Sequence, residues 1–146
     1  MRVYLAAAMT SADRDLPAIA ALVAHLERCG HEVPTRHVAD PGGRELDAAL
    51  SDAELARRDL DWLAGCDALV AEVSTPSHGV GIEVMAAVQR LLPVLLLHRR
   101  GCKVSRLLLG LPFARSSSYQ DPDDATAAID AFLADVAAAR AAAGGA

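Results

Sequence analysis

Ala68-Leu-Val-Ala-Glu-Val73, Ser74-Thr-Pro-Ser-His78 and Gly79-Val-Gly-Ile-Glu-Val-Met-Ala-Ala-Val88 are three consecutive stretches that decide the fold. The first reads as a strand and the second as a loop. The third reads as a helix, apolar nearly all round, with one carboxylate, Glu83, in its second turn. An all-apolar helix belongs in a core. In an open parallel sheet, the loop that joins strand to helix lies at the carboxyl ends of the strands, where ligands bind. A charge among apolar neighbours is costly unless it is paired, protonated or facing a site. Glu83 is therefore a candidate for chemistry.

Outward from this centre, strand and helix signals alternate. Arg2 to Ala7 is a short apolar run. Leu16, Ile19, Leu22, Val23 and Leu26 recur at helical spacing up to Cys29, and Gly30 stops that helix. Glu32 to Val38 is a poor strand, because Pro34 removes a donor, and it belongs at an edge. Asp40-Pro-Gly-Gly43 reads as a loop. Ser51 or Asp52 caps a helix that runs to about Gly65. Pro93 to His98 is a fully apolar strand, and Arg99 to Pro112 a basic loop with one helical turn. Ser116 to Tyr119 reads as a further strand. Asp121-Pro-Asp-Asp124 opens the last helix, with proline near its start and acids at the positive end of the dipole. This alternation predicts a single α/β domain over residues 1–140, doubly wound, with about five parallel strands in a flavodoxin-like or Rossmann-like sheet. Residues 141–146 are expected to fray.

Composition excludes several classes. The chain has 146 residues, 53% of them hydrophobic and only 3% aromatic, enough for one domain with a real core. Its net charge of −5 argues against binding to nucleic acid polymers. No signal peptide is read, and Leu91 to Leu97 is too short to span a bilayer, so no membrane partner is expected. Cys29, Cys66 and Cys102 form no zinc or redox pattern, which favours the cytoplasm. Gly79-Val-Gly81 is only part of a dinucleotide fingerprint, and no acidic residue ends the next strand. No cofactor and no metal are expected.

Two more residues stand beside Glu83 as candidates. Asp59 borders the apolar face that Leu55, Leu60 and Leu63 give to the second helix, where it reads equally as a solvated acid. Tyr4 lies mid-strand, where a buried tyrosine with a satisfied hydroxyl is common. Taken together, Tyr4, Asp59-Leu-x-Trp-Leu63, Ala71-Glu-Val-x-x-Pro-Ser77 and Gly79-Val-Gly-x-Glu83 occur in an order that resembles the 2′-deoxynucleoside 5′-phosphate N-hydrolases. Those are relatives of the nucleoside 2-deoxyribosyltransferases. The similarity runs from Tyr4 to about Phe132 and takes in Thr35-x-His37-Val38 and the region of Tyr119.

The resemblance implies cleavage of the bond between deoxyribose and base in a 2′-deoxyribonucleoside 5′-monophosphate. It makes Glu83 the nucleophile that forms a glycosyl ester, Asp59 the group that handles protons, and Tyr4 the residue that aligns Glu83. Ser77 stands where the transferases carry an aspartate for the 5′-hydroxyl, so a phosphate is implied. Gly79, Gly81, Ile82 and His37 are implied to line the substrate. Ser105, or Arg106 one residue on, matches a position that reaches the phosphate of the neighbouring subunit, so a homodimer is implied. The loop Ala6-Ala-Ala-Met-Thr-Ser11 departs from the pattern. Thr10 stands where an arginine is expected, leaving Thr10, Ser11 and the nearby Arg14 to meet the phosphate. Base transfer between deoxynucleosides and non-catalytic nucleotide binding are the alternatives. His78, next to Ser77, reads as a rim residue.

Overall fold

The computed structural model describes residues 1–145. A four-stranded parallel sheet forms the middle layer, with strands β1 (Val3–Ala7), β2 (Ala68–Glu72), β3 (Val94–Arg99) and β4 (Ala114–Tyr119) side by side in that order. Helices α1 (Leu16–Arg28), α2 (Gly43–Ala48), α3 (Asp52–Ala64), α4 (His78–Gln89), α5 (Arg106–Leu109) and α6 (Pro122–Gly144) connect and cover it. β1, β2 and most of β3 are buried on both faces. Continuous apolar strands require that cover.

Two cores result. Val3, Leu5 and Ala7 of β1, with Val70, Leu95 and Leu97, pack against Ile19, Leu22 and Leu26 of α1 and Ile129, Phe132 and Leu133 of α6. Tyr4 and Ala6, with Leu69, Ala71 and Leu96, pack against Leu63 of α3 and Val80, Val84 and Ala87 of α4. The period of two along a strand makes this division.

The sheet has four strands, not the five expected. The segment after Gly30 does reach the free edge of β1, through one parallel bridge between Arg2 and Glu32. Val3 N donates to Glu32 O at 2.8 Å, and there the pairing stops. Pro34 has no N–H to continue it. The side chain of Thr35 takes over: its Oγ1 accepts from Leu5 N at 3.0 Å and donates to Leu5 O at 2.8 Å. One hydroxyl thus satisfies both backbone groups of Leu5, and the chain turns away into a 3-10 turn over Arg36–Ala39.

The helix starts follow the sequence. Ser51 caps α3 in a capping box with Glu54, and Asp121 caps α6. Two expectations fail. Gly43, read as the end of a loop, instead opens a short helix over residues 43–48, and α6 continues to Gly144 where fraying from residue 141 was expected. Ala146 lies outside the described residues. Among the described residues, no helix is long and apolar enough to cross a membrane.

Candidate active site

β1 sets the geometry. Tyr4 is fully buried and faces α3 and α4. Its Oη donates to Glu83 Oε1 at 2.6 Å, a charge-assisted bond across 79 residues of sequence. Val80, Val84 and Ala87 of α4 lie in the core, and Glu83 stands half-buried among them. Burial pushes the Glu83 carboxyl up to about 7. The Tyr4 hydrogen bond pulls it down, Asp59 pushes it up, Arg58 lowers it and Asp47 raises it. Burial, and then the Glu83 charge, push the Tyr4 phenol well above its ordinary range, so it remains a donor at neutral pH.

Asp59 comes to the same place from α3, but in company. Arg58 Nε donates to Asp59 Oδ1 at 2.8 Å, and Arg58 Nη2 lies 2.9 Å from Asp47 Oδ1 of α2. The guanidinium carbon sits 4.6 Å from the centroid of the Trp62 ring. His37, on the 3-10 turn, packs its ring 5.6 Å from that of Trp62. Burial lowers the His37 pKa against the pull of Asp47, which favours the neutral ring. Sequence reading found Tyr4, Asp59, Glu83 and His37, and the structure brings them together. It missed Arg58 and Asp47, and it held Trp62 only as part of the quoted motif, with no role. Arg58 and Trp62 are four apart on one helix, the spacing at which a cation meets a ring, and that signal was legible. Asp47 gave no signal, because residues 44–50 were assigned to no element.

Gly43 explains how Asp47 arrives. A Cβ on Gly43 would lie 2.2 Å from His37 O, so only glycine lets α2 pack onto the 3-10 turn this closely.

Ser77 caps α4, its Oγ accepting from Val80 N at 3.4 Å. Gly79 and Gly81 follow in the first turn, where a Cβ on Gly81 would meet nothing within 4 Å. Open space therefore lies over the turn that carries Glu83. The loop before Ser77 is anchored from below. The buried Glu72 accepts from Ser74 N at 3.2 Å, from Ser74 Oγ, and from Tyr119 Oη at 3.0 Å, and Arg99 N donates to Ser74 Oγ at 2.7 Å. Sequence reading did not single out Glu72.

A cavity of about 650 Å³ opens at the carboxyl end of β1, lined by Met9, Ser11, Arg14, Pro41, Arg44 and Glu45 among others. Its lining does not include Tyr4, Asp59 or Glu83. α2 serves both places, with Asp47 in the carboxylate cluster and Arg44 on the cavity. Arg14 Nη1 donates only to Met9 Sδ, at 3.4 Å. Among the described residues, neither Arg14 nor Arg44 pairs with a carboxylate. Thr10 is exposed, and Ser11 Oγ accepts from Asp13 N at 3.2 Å. Ser105 and Arg106 lie exposed at the start of α5, with no hydrogen bond to Glu83, Asp59 or Ser77 among the described residues. Ile82 points outward, 63% exposed, and His78 is exposed at the start of α4.

A parallel sheet covered on both faces, with a half-buried carboxylate held by a tyrosine hydroxyl between the sheet and a helix, defines an α/β protein with an enzyme-type site. No family profile matches the chain. It is 37% identical over 137 residues to a Thermofilum pendens protein named "Putative 2'-deoxynucleoside 5'-phosphate N-hydrolase 1", covering 91% of this chain and 95% of that one. A Methanococcoides burtonii protein of the same name is 34% identical over 114 residues, covering 78% and 93%. The 5-hydroxymethyl-dUMP N-hydrolase of Rattus norvegicus is 36% identical over 137 residues, covering 90% and 81%. The chain belongs to the 2′-deoxynucleoside 5′-phosphate N-hydrolase family. Among solved structures, a CMP N-glycosidase of Clostridium botulinum shares the fold at a TM-score of 0.69 and 24% identity, covering 90% of this chain and 99% of that one. A 2-deoxyribosyltransferase of Bacillus psychrosaccharolyticus shares it at 0.64 and 17%, covering 86% and 90%.

Proposed function

We propose that this chain hydrolyses the N-glycosidic bond of 2′-deoxyribonucleoside 5′-monophosphates, releasing the base and deoxyribose 5-phosphate. The observation that carries the reading is the 2.6 Å bond that aims Glu83 from Tyr4, with Asp59 on the neighbouring helix. The relatives' names supply the substrate class.

In this reaction the bond from C1′ to the base nitrogen breaks through an oxocarbenium-like transition state. A Glu83 oxygen bonds to C1′, and the departing base takes a proton from Asp59. Water then attacks C1′ and gives its proton back to Asp59, and the sugar leaves with the water hydroxyl as Glu83 is released. Tyr4 holds one Glu83 oxygen, which leaves the other to attack. Ser77 and the open turn over Gly79 and Gly81 receive the sugar phosphate. The loop that carries Thr10 in place of an arginine obtains its positive charge from Arg14 and Arg44 on the adjoining cavity. Neutral His37 and Ile82 border the base.

The working unit in this reading is a homodimer. Ile82 and Met85 of α4, Leu107 of α5 and Phe113 after it are exposed, while Val80 and Leu108 of the same two helices pack into one core, so the apolar surface lies on one side of the sheet. A second copy covers it and brings Ser105 or Arg106 to the phosphate. The free cysteines Cys29, Cys66 and Cys102 support a cytoplasmic setting.

The test is release of free base, followed by chromatography, from a panel of deoxynucleoside 5′-monophosphates and the matching nucleosides. Release from monophosphates without an acceptor base is expected. New nucleoside formed only with an acceptor would replace hydrolysis by base transfer, and silence across the panel would leave binding alone.

A further inference from the structure

Arg58 is the only cation set among the carboxylates of this site, among the described residues. Its guanidinium is fixed on three sides: the Trp62 ring lies beneath it, Asp47 on one flank and Asp59 on the other. Both contacts to Asp59, from Nε at 2.8 Å and from Nη2 at 2.7 Å, fall on the same oxygen, Oδ1. Asp59 Oδ2 accepts no hydrogen bond from the described residues. A planar guanidinium with five donors suits such a shared grip, whereas an ammonium on a flexible stem does not. His37 Nε2 closes the ring around it at 3.5 Å from Nη2.

The geometry points to Arg58 as a positioning residue for the reaction, holding Asp59 by one oxygen so that the other faces the departing base. This rests on the reading of Asp59 as the group that moves protons. The arrangement also sets charge. The groups facing Glu83 are Tyr4 from β1, Asp59 and Arg58 from α3 and Asp47 from α2, so one guanidinium stands against three carboxylates. Without it, a second negative charge would gather where the nucleophile must ionise.

Steady-state kinetics of Arg58→Gln and Arg58→Lys across pH test this, with Arg57→Gln on the exposed side of the same turn as control. Arg58→Gln is expected to lower kcat roughly 10- to 100-fold, since a misplaced proton-transfer group loses that order of rate. KM should change little, and the acid limb of kcat should move to higher pH. Lysine should restore the pH profile more than the rate, because it returns the charge but not the fork. Added guanidinium ion should recover part of the Arg58→Gln loss. Wild-type kcat and an unmoved profile in Arg58→Gln would overturn the proposal. So would a loss of rate with an unmoved profile and no rescue, accompanied by a lowered Tm, since Arg58 would then only brace α3 against α2. A ¹³C titration of the Glu83 carboxyl needs no turnover. An upward shift in Arg58→Gln keeps Arg58 as organiser of the cluster even if the wild type releases no base and the assigned reaction falls. An unmoved midpoint overturns it.

Discussion

Glu83 carries two conflicting demands. Its apolar surroundings raise its pKa to about 7, from 4.5 for an ordinary glutamate. A nucleophile must be ionised, so kcat/KM is expected to climb with pH and level off above about 7; a profile flat from pH 5 to 8 would remove the carboxylate from the rate-limiting step. Folding feels the same shift with the opposite sign. Below pH 4.5 the carboxyl is protonated in both folded and unfolded chains and nothing is lost. Between 4.5 and 7 the unfolded chain gives up its proton first, so stability falls as pH rises, and the loss is complete above 7. Glu83→Gln should therefore abolish turnover yet be more stable than the wild type at neutral pH, by about 3 kcal/mol, with the gain vanishing near pH 4. Denaturant titrations of both proteins at pH 4 and pH 7.5 would measure it. Tyr4→Phe removes the bond that lowers the Glu83 pKa and should move the rising limb to still higher pH. At this scale the sequence was legible where context was local. Glu83 stood out because its own helix is apolar, and Tyr4 and Asp59 stood out through their motifs. Arg58 and Asp47 escaped because their pairing joins helices that local periodicity cannot bring together.

Helix ends show how differently one motif can be built. α1 and α4 close with the same pair of hydrogen bonds. In α1, Gly30 N donates to Glu27 O at 2.9 Å and His31 N to Leu26 O at 3.0 Å; in α4, Leu91 N donates to Val88 O and Leu92 N to Ala87 O, both at 3.0 Å. The residue at the turning point has φ of +79° at Gly30 and +57° at Leu91. Glycine adopts that conformation freely, while leucine loses roughly 1–2 kcal/mol there. Leu91 is also 73% exposed, so its side chain returns little by packing. Leu91→Gly is expected to stabilise the fold by about 0.5–1 kcal/mol, seen as a higher Tm with unchanged activity. Gly43→Ala should act the other way: the Cβ clash with His37 O displaces α2, and with it Asp47, so both Tm and kcat should drop. These ends also explain the misread elements. Gly30 marked the end of α1 by residue type alone, as sequence reading expects. Gly43 was read as part of a loop, because in sequence a glycine chosen for close packing looks the same as one chosen for a turn.

Across the molecule, the layers and their order were legible from alternation, because fully apolar strands and amphipathic helices leave few ways to pack. The strand count was not, since one proline decides whether an edge segment pairs for five residues or for one. The apolar surface of α4 and α5 carries a prediction at this scale. Leu107→Glu, at a position 79% exposed, should leave the monomer folded by circular dichroism, shift sedimentation from dimer to monomer and reduce turnover. A wild type that sediments as a monomer would remove the second copy from the site.

The two margins of the sheet are protected by different means. β4 is polar on its exposed positions, Arg115, Ser116 and Ser118, and discourages company by solvation. β1 is wholly apolar, and its outer margin is closed largely by Glu32 and the hydroxyl of Thr35. An uncovered strand of that composition is a template for other chains. Thr35 thus closes the edge at Leu5, and self-association is the expected cost of losing its hydroxyl. Thr35→Val, nearly equal in shape, should leave the site chemistry intact and make the protein cloud and bind amyloid dyes well below the temperature at which the wild type does.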